Sequence, residues 1–220
     1  MKNDGEIRLV CFDWGGVIVR ICRSWAQGCE AAGLPVRDGS AEPAHVERRG
    51  HIVRRFQNGL LSSEAFIREL ARSTLGLYTT AEVRAIHNAW LLEEYAGVGG
   101  VVRELNETEG LATALLSNTN EMHFARQVPG DDGRPADFPT ASRLDHHFAS
   151  HLLGVSKPSP EIYRAVERDT GRSPSEILFF DDTEENITAA SGLGWRAELI
   201  DHSGDVALQL RRCLGAHGVR

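Results

Sequence analysis

Asp13, the Ser117-Asn118 pair, Lys157 and the Asp181-Asp182 pair are the residues of this chain whose types and settings could do chemistry together. Three of these four sites end an apolar run. Leu9-Val10-Cys11-Phe12 leads to Asp13, Leu111 to Leu116 leads to Ser117, and Ile177-Leu178-Phe179-Phe180 leads to Asp181. Such runs, bounded by turn residues, read as buried strands. In an open parallel sheet the strands share one carboxyl edge, and ligands bind in the crevice beside it. Lys157 precedes Pro158-Ser159-Pro160, where Ser159 as cap and Pro160 in the first turn predict a helix start. A carboxylate nucleophile, a hydroxyl beside backbone N–H donors, a lysine and an acidic pair for Mg²⁺ would suit phosphoryl transfer. Adjacent acids at the end of a buried strand repel unless a cation or hydrogen bonds compensate, so Asp181-Asp182 is the most telling of the four.

The elements that must position these groups alternate strand and helix. Strands are predicted over 7–12, 111–116, 177–180 and 195–200, with a strand-like patch at 147–153. Helices are predicted near 98–109, 121–127, 160–169 and 184–192. That alternation predicts an α/β fold with a doubly wound parallel sheet and helices on both faces. Residues 24–95 break the pattern, showing helical spacing and no convincing strand. Phe66, Ile67 and Leu70 share one helical face after Ser62 or Ser63; Val83, Ile86, His87 and Trp90 share another after Thr80. Weaker helices lie near 24–32 and 43–57. The organisation expected is a core of residues 1–20 and 96–220, with a helical insertion over 21–95.

Composition bounds the rest. The chain has 220 residues, 41% of them hydrophobic and 25% charged, as in an ordinary globular protein. A net charge of −7 argues against a nucleic-acid partner, which wants a basic face. Cys11, Cys22, Cys29 and Cys213 show no metal or redox spacing and read as reduced thiols. Residues 1–6 carry no apolar signal region and no run approaches a membrane span, so a soluble, cytoplasmic protein is expected. His146, His147 and His151 lack the spacing of a metal site. Arg48, Arg49, His51, Arg54 and Arg55 read first as a solvated helix face, and secondly as a source of one or two substrate contacts. Trp14 is core packing or part of a substrate wall, and Asn186 either orients the acidic pair or simply sits early in its helix.

The ordered set Asp-x-Gly-Gly-Val after a strand, Leu-Ser-Asn-Thr-Asn, Lys-Pro, and Phe-Phe-Asp-Asp-x-x-x-Asn-Ile resembles the four motifs of the haloacid dehalogenase superfamily. The helical block resembles that superfamily's small cap on a Rossmann-like core. Within the superfamily the chain looks closest to the bacterial α-D-glucose-1-phosphate phosphatases and the phosphatase domain of soluble epoxide hydrolases. The resemblance implies that Asp13 attacks phosphorus and forms an aspartyl phosphate. It implies that Ser117 and the Asn118 N–H hold phosphoryl oxygens, and that Lys157 neutralises charge between Asp13 and the phosphate. It also implies Mg²⁺ held by Asp13, Asp182 and the Gly15 carbonyl, with Asp181 a ligand or an acceptor beside them. The substrate implied is a small phosphate ester.

One position departs from the family pattern. Phosphatases of this superfamily usually carry a second Asp two residues after the nucleophile, to protonate the leaving group; here that residue is Gly15. A missing acid hurts alkyl leaving groups more than acidic ones, which favours sugar-1-phosphate-like esters. Two other readings compete with the phosphatase. In a metal-free dehalogenase Asp13 would attack carbon, but Asp181-Asp182 argues against it. An inactive phosphate-binding protein has only Gly15 in its favour.

Overall fold

The strands, numbered in chain order, are β1 (Leu9–Phe12), β2 (Val19–Ile21), β3 (Leu91–Glu94), β4 (Ala112–Ser117), β5 (His146–Ala149), β6 (Ile177–Asp181) and β7 (Arg196–Leu199). Five of them form a parallel sheet in the order β5-β4-β1-β6-β7. This computed structural model describes residues 5–219; residues 1–4, part of the first predicted core segment, and residue 220 lie outside the described residues.

β1 stands at the centre and is buried along its whole length, which its unbroken apolar run anticipates. Side chains alternate across a strand, and the two sets enter different clusters. Val10 and Phe12 join Leu115, Leu178 and Phe180 on one face. That face is covered by α5 (Val98–Asn106) and α10 (Val206–Ala216) through Val101, Val102, Leu105, Leu210 and Leu214. Leu9 and Cys11 join Leu116, Ile177 and Phe179 on the other, under α8 (Pro160–Thr170) and α9 (Glu184–Gly192). There Tyr163, Phe179 and Trp195 meet edge to face at 5.3 to 6.1 Å between ring centres. Each such buried side chain contributes roughly 1.5–3 kcal/mol relative to exposure. The register sets Phe12 beside Leu115 and Phe180, so Asp13, Leu116 and Asp181 follow at one level of the carboxyl edge.

The insertion forms α1 (Trp25–Ala31), α2 (Pro43–Gln57), α3 (Ser63–Ser73) and α4 (Thr80–Asn88). Its apolar faces close on a cluster of their own, including Cys29, Phe56, Phe66, Leu70, Val83 and Ile86, with Phe56 stacked on Phe66 at 4.1 Å. Ser62 caps α3, accepting from the Ala65 N–H, and Thr79 with Glu82 forms a capping box on α4.

At four places the structure corrects or adds to what the sequence led one to expect. The insertion does contain a strand: β3 pairs antiparallel with β2, and this two-stranded ribbon carries the chain into and out of the helical block. Leu91-Leu92-Glu93-Glu94 is too short to show a period, and its partner is only three residues long. The patch at 147–153 divides into β5 and a single helical turn, α7 (Ser150–Leu153), ended by Gly154 in the left-handed region. Ser159 stands at the N-cap position of α8 as expected, but its side chain makes no capping hydrogen bond and its hydroxyl donates to the Glu161 carboxylate. α10 went unanticipated, although Val206, Leu210 and Leu214 recur at helical spacing. The remaining short helix, α6 (Glu121–Phe124), continues as a 3₁₀ turn over Ala125–Gln127. Among the described residues no helix is long and apolar enough to cross a membrane.

Candidate active site

All four sequence-predicted sites reach the carboxyl edge of the sheet. Asp13 follows β1, Ser117 ends β4 and Asp181 ends β6. Lys157, on the segment leading into α8, bridges the other two: its Nζ is 2.8 Å from Asp13 Oδ1 and 2.6 Å from Asp181 Oδ2. The ammonium also lies over the Phe179 ring at 5.2 Å. Lys157 is held by its backbone as well. The Lys157 N–H donates to Asn118 Oδ1 at 2.8 Å, and Asn118 Nδ2 donates to the Lys157 carbonyl at 2.9 Å. The Asn118 side chain thus clamps the Lys157 backbone through both its amide nitrogen and its amide oxygen.

The two acids of the pair have different partners. Asp181 is completely buried, and its oxygens accept from Lys157, from the Thr183 N–H at 2.8 Å, and twice from Asn186 Nδ2 at 3.0 Å. Asp182 Oδ2 is buried with no hydrogen-bond donor aligned on it, although Arg23 Nη2 stands 2.6 Å away as an ion pair. Gly16 makes this packing possible. It sits at φ +95°, and a Cβ there would fall 2.1 Å from Asp182 Oδ2. Such an overlap excludes every side chain.

Burial shapes the charges. It pushes the Asp13 carboxyl up to about 7, against the opposing pull of Lys157, with Asp181 and Asp182 adding to the rise. Burial alone would depress Lys157, but the two carboxylates override it and hold the ammonium above its ordinary range. One oxygen from each of Asp13, Asp181 and Asp182 lies within 4.8 Å of the others. A carboxylate cluster with one unbonded buried oxygen fits a hard divalent cation, which takes oxygen ligands of this kind.

A cavity of about 640 Å³ opens from this edge into the helical block. Gly15, Ser117 and Asn118 line its core end; Trp25, Ser40 and Arg49 line it on the insertion side. Trp14 serves both roles the sequence left open, packing edge to face on Phe138 at 6.3 Å and lining the cavity. Gly15 has ordinary backbone geometry, but a Cβ there would sit 3.1 Å from Ile21 Cδ1. Ile21 therefore occupies the space a side chain at this position would enter.

Of the basic cluster, Arg48, His51 and Arg54 are exposed and Arg55 pairs with Glu69 at 2.6 Å, as on a solvated face. Arg49 departs from that reading: it is only 7% exposed and lines the cavity. His147 Nε2 bonds the Ala141 carbonyl at 2.8 Å and His151 packs on Phe124. His87, read from the sequence only as part of an apolar helix face, stacks at 4.0 Å on His123, which sequence reasoning passed over, where the insertion meets the core. His123 Nε2 lies 2.8 Å from the His87 carbonyl, and Asn120 accepts from the His123 N–H at 3.1 Å. Burial holds His87 well below its ordinary pKa and lowers His123 to about 4. Gly16, Ile21 and Arg23 were also missed. Only the Gly-Gly pair after Asp13 offered a local signal for any of them.

The chain is 30% identical over 209 residues to a D-ribitol-5-phosphate phosphatase of Bacteroides thetaiotaomicron, covering 90% of this chain and 94% of the relative. It is 26% identical to the phosphatase MT3486 of Mycobacterium tuberculosis, over 97% and 96% of the two chains. The fold superposes, with a TM-score of 0.72 at 22% identity, on a haloacid dehalogenase family enzyme of B. thetaiotaomicron solved with magnesium and inorganic phosphate, covering 93% of this chain and all of that one. A family model of haloacid dehalogenase-like hydrolases matches residues 7–194. The chain belongs to the haloacid dehalogenase-like hydrolases.

Proposed function

We propose that this hydrolase is a Mg²⁺-dependent phosphatase of a small phosphate ester, working through an aspartyl phosphate on Asp13. The observation that carries the reading is the shared ammonium of Lys157 between Asp13 and Asp181, beside the unbonded buried oxygen of Asp182. Asp13 attacks phosphorus while the bond to the leaving oxygen breaks, and water then cleaves the new acyl phosphate to release phosphate. Ser117 and the Asn118 N–H hold the phosphoryl oxygens as charge develops on them. Lys157 stays protonated throughout and keeps the Asp13 oxygen aimed, with Asp181 fixing the ammonium from the far side. Asp13, Asp182 and the Gly15 carbonyl would hold Mg²⁺, which supplies positive charge to the transferring group when bound. Asp181, with its acceptor sites filled by protein donors, acts as the anchor of Lys157.

No acid stands at Gly15, and the two cavity histidines are held neutral by burial. The reading therefore favours esters with an activated leaving oxygen, such as aryl phosphates, over simple alkyl phosphates. The test is a panel containing para-nitrophenyl phosphate, a sugar-1-phosphate, D-ribitol-5-phosphate and a 2-haloacid, with and without Mg²⁺. Metal-dependent phosphate release, abolished in Asp13→Asn and fastest on the activated esters, is the expected result. Metal-independent halide release would replace the reading with a dehalogenase, and faster turnover of the alkyl ester would overturn the leaving-group argument.

A further inference from the structure

The cavity beyond the nucleophile has an unusual balance of groups for a pocket meant for a polyhydroxylated ligand. Its wall is built largely of apolar side chains, among them Ile21, Phe56, Phe66, Leu70 and Trp90. Its volume, about 640 Å³, is that of a site for a sizeable organic molecule. Sugar hydroxyls placed against such a wall would lose hydrogen bonds to water without replacement.

Within this apolar wall lies one buried cation. Arg49, on α2, donates from Nη2 to the Ser40 carbonyl at 2.8 Å, and its guanidinium lies over the Trp25 ring at 4.7 Å. Its Nη1 is buried without a hydrogen-bond partner, and among the described residues no carboxylate lies within ion-pair distance of it. Trp25 Nε1, in the residue stacked against it, is also without a partner. Two adjacent residues of the wall therefore carry donors and lack an acceptor. A buried cation left unpaired is costly, and both residues line the cavity that begins at Ser117 and Asn118. The chemistry missing here is an oxyanion supplied by a ligand.

We propose that the cavity binds a phosphate ester whose apolar body carries a second anionic oxygen group, and that Arg49, backed by Trp25, pairs with that second group. The inference rests on the phosphatase reading for the position of the first group, the scissile phosphate at the core end. The apolar walls hold the body between the two charged ends, and the distance from Ser117 to Arg49 selects its length. Arg49 thereby sets specificity and takes no part in bond making.

The test uses matched aryl phosphates, each bearing a short alkyl chain that ends in a carboxylate, in the methyl ester of that carboxylate, or in a phosphonate. With Mg²⁺, the wild-type enzyme is expected to prefer a charged terminus over the ester by roughly 10- to 100-fold in kcat/KM, the range of a charge-assisted hydrogen bond. The carboxylate and phosphonate arms show which oxyanion is preferred. Arg49→Met should bring the preference to within about twofold, Arg49→Lys should keep part of it, and Trp25→Phe should lower it a few-fold. Thermal melts monitored by circular dichroism establish that each variant is folded; if Arg49→Met does not fold, Arg49→Lys and Trp25→Phe carry the comparison. A wild-type enzyme indifferent to the terminal charge, or a preference unchanged in the folded variants, overturns the proposal. If para-nitrophenyl phosphate itself is not hydrolysed, the phosphatase reading fails separately. Calorimetric titration with the phosphate-free aryl alkyl carboxylate then decides the cavity: binding weakened in the variants supports it, and no binding or equal binding refutes it.

Discussion

Gly15→Asp restores a carboxyl at the position where related phosphatases protonate the leaving group, and the structure says what that change meets. Gly15 is not in the left-handed region, so an L-residue fits its backbone. The new Cβ would lie 3.1 Å from Ile21 Cδ1 and 3.2 Å from Ile21 Cγ2, so Ile21 must give by a few tenths of an ångström. It is half-buried and faces the cavity, so it has room to turn. Overpacking of this kind costs about 1–3 kcal/mol, and Ile21→Val in the same chain removes the Cδ1 contact. The carboxylates of Asp13, Asp181 and Asp182 already crowd this edge and favour the protonated form of the new carboxyl, as a general acid requires. General acids contribute about 10²–10⁴-fold. A newly installed one at the lower end would raise kcat on an alkyl phosphate about 100-fold, equal to about 2.7 kcal/mol of barrier. Turnover of para-nitrophenyl phosphate, whose leaving oxygen needs no proton, should stay level or fall from the added negative charge. Both rates are measured in Mg²⁺ for the wild type, for Gly15→Asp and for Gly15→Asp with Ile21→Val. A folded double variant that gains nothing on the alkyl ester, or gains equally on both esters, would refute the assignment of Gly15 as a missing acid.

Lys157→Met would leave the Asp13 and Asp181 carboxylates facing each other without their shared cation. Urea unfolding of the metal-free variant should show a loss of about 3–5 kcal/mol, partly recovered on adding Mg²⁺, and phosphatase turnover should be lost. The buried histidines predict an acid-labile junction between insertion and core. His123 is depressed from 6.5 to about 4, so between those values the unfolded chain binds a proton that the folded chain does not. Its contribution is therefore intact above pH 6.5 and falls as the pH drops toward 4, by about 3 kcal/mol in all. Urea midpoints between pH 7.5 and 4 should fall less steeply for His123→Gln, and an unchanged slope would show that this proton is not the cause.

The catalytic edge was legible because its signals are local. An apolar run ending on Asp13, Ser117 or Asp181 declares both the strand and the level at which it stops, and parallel pairing brings the ends together. What stayed hidden depends on contacts made across the fold. Arg23 meets Asp182 from 159 positions away, as their numbers show, and no pattern around Arg23 marks it. Gly16 stood in the sequence only as part of the Asp-x-Gly-Gly-Val motif, whereas its lack of a Cβ is what lets the Asp182 carboxylate lie against the backbone. Arg49 was indistinguishable from its neighbours Arg48 and Arg54, because only the packing of α2 over Trp25 decides which arginine turns inward. β3 escaped notice because a four-residue strand with one short partner leaves no period to read.

The polar groups divide between core and insertion in a way that assigns them different work. At the sheet edge, Asn118, Lys157, Asp181 and Asn186 form a connected network whose members hold one another by backbone and side chain. Such a network fixes the Asp13 side chain whatever occupies the cavity beyond it. The insertion adds apolar walls and the buried Arg49, which on the proposed reading act on the part of the ligand beyond its phosphate. Two of the hydrogen bonds that join insertion to core run through Gln57: its Nε2 donates to the Asn118 carbonyl at 3.1 Å, and Ser150 Oγ donates to the Gln57 carbonyl at 2.6 Å. Substitutions in the cavity wall should therefore redistribute kcat/KM among esters, whereas substitutions in the Asn118 to Asn186 network should lower it for all of them alike. Gln57 is the exception that follows from the same geometry, because its amide joins α2 to the Asn118 backbone and its carbonyl reaches the Thr119 backbone through Ser150.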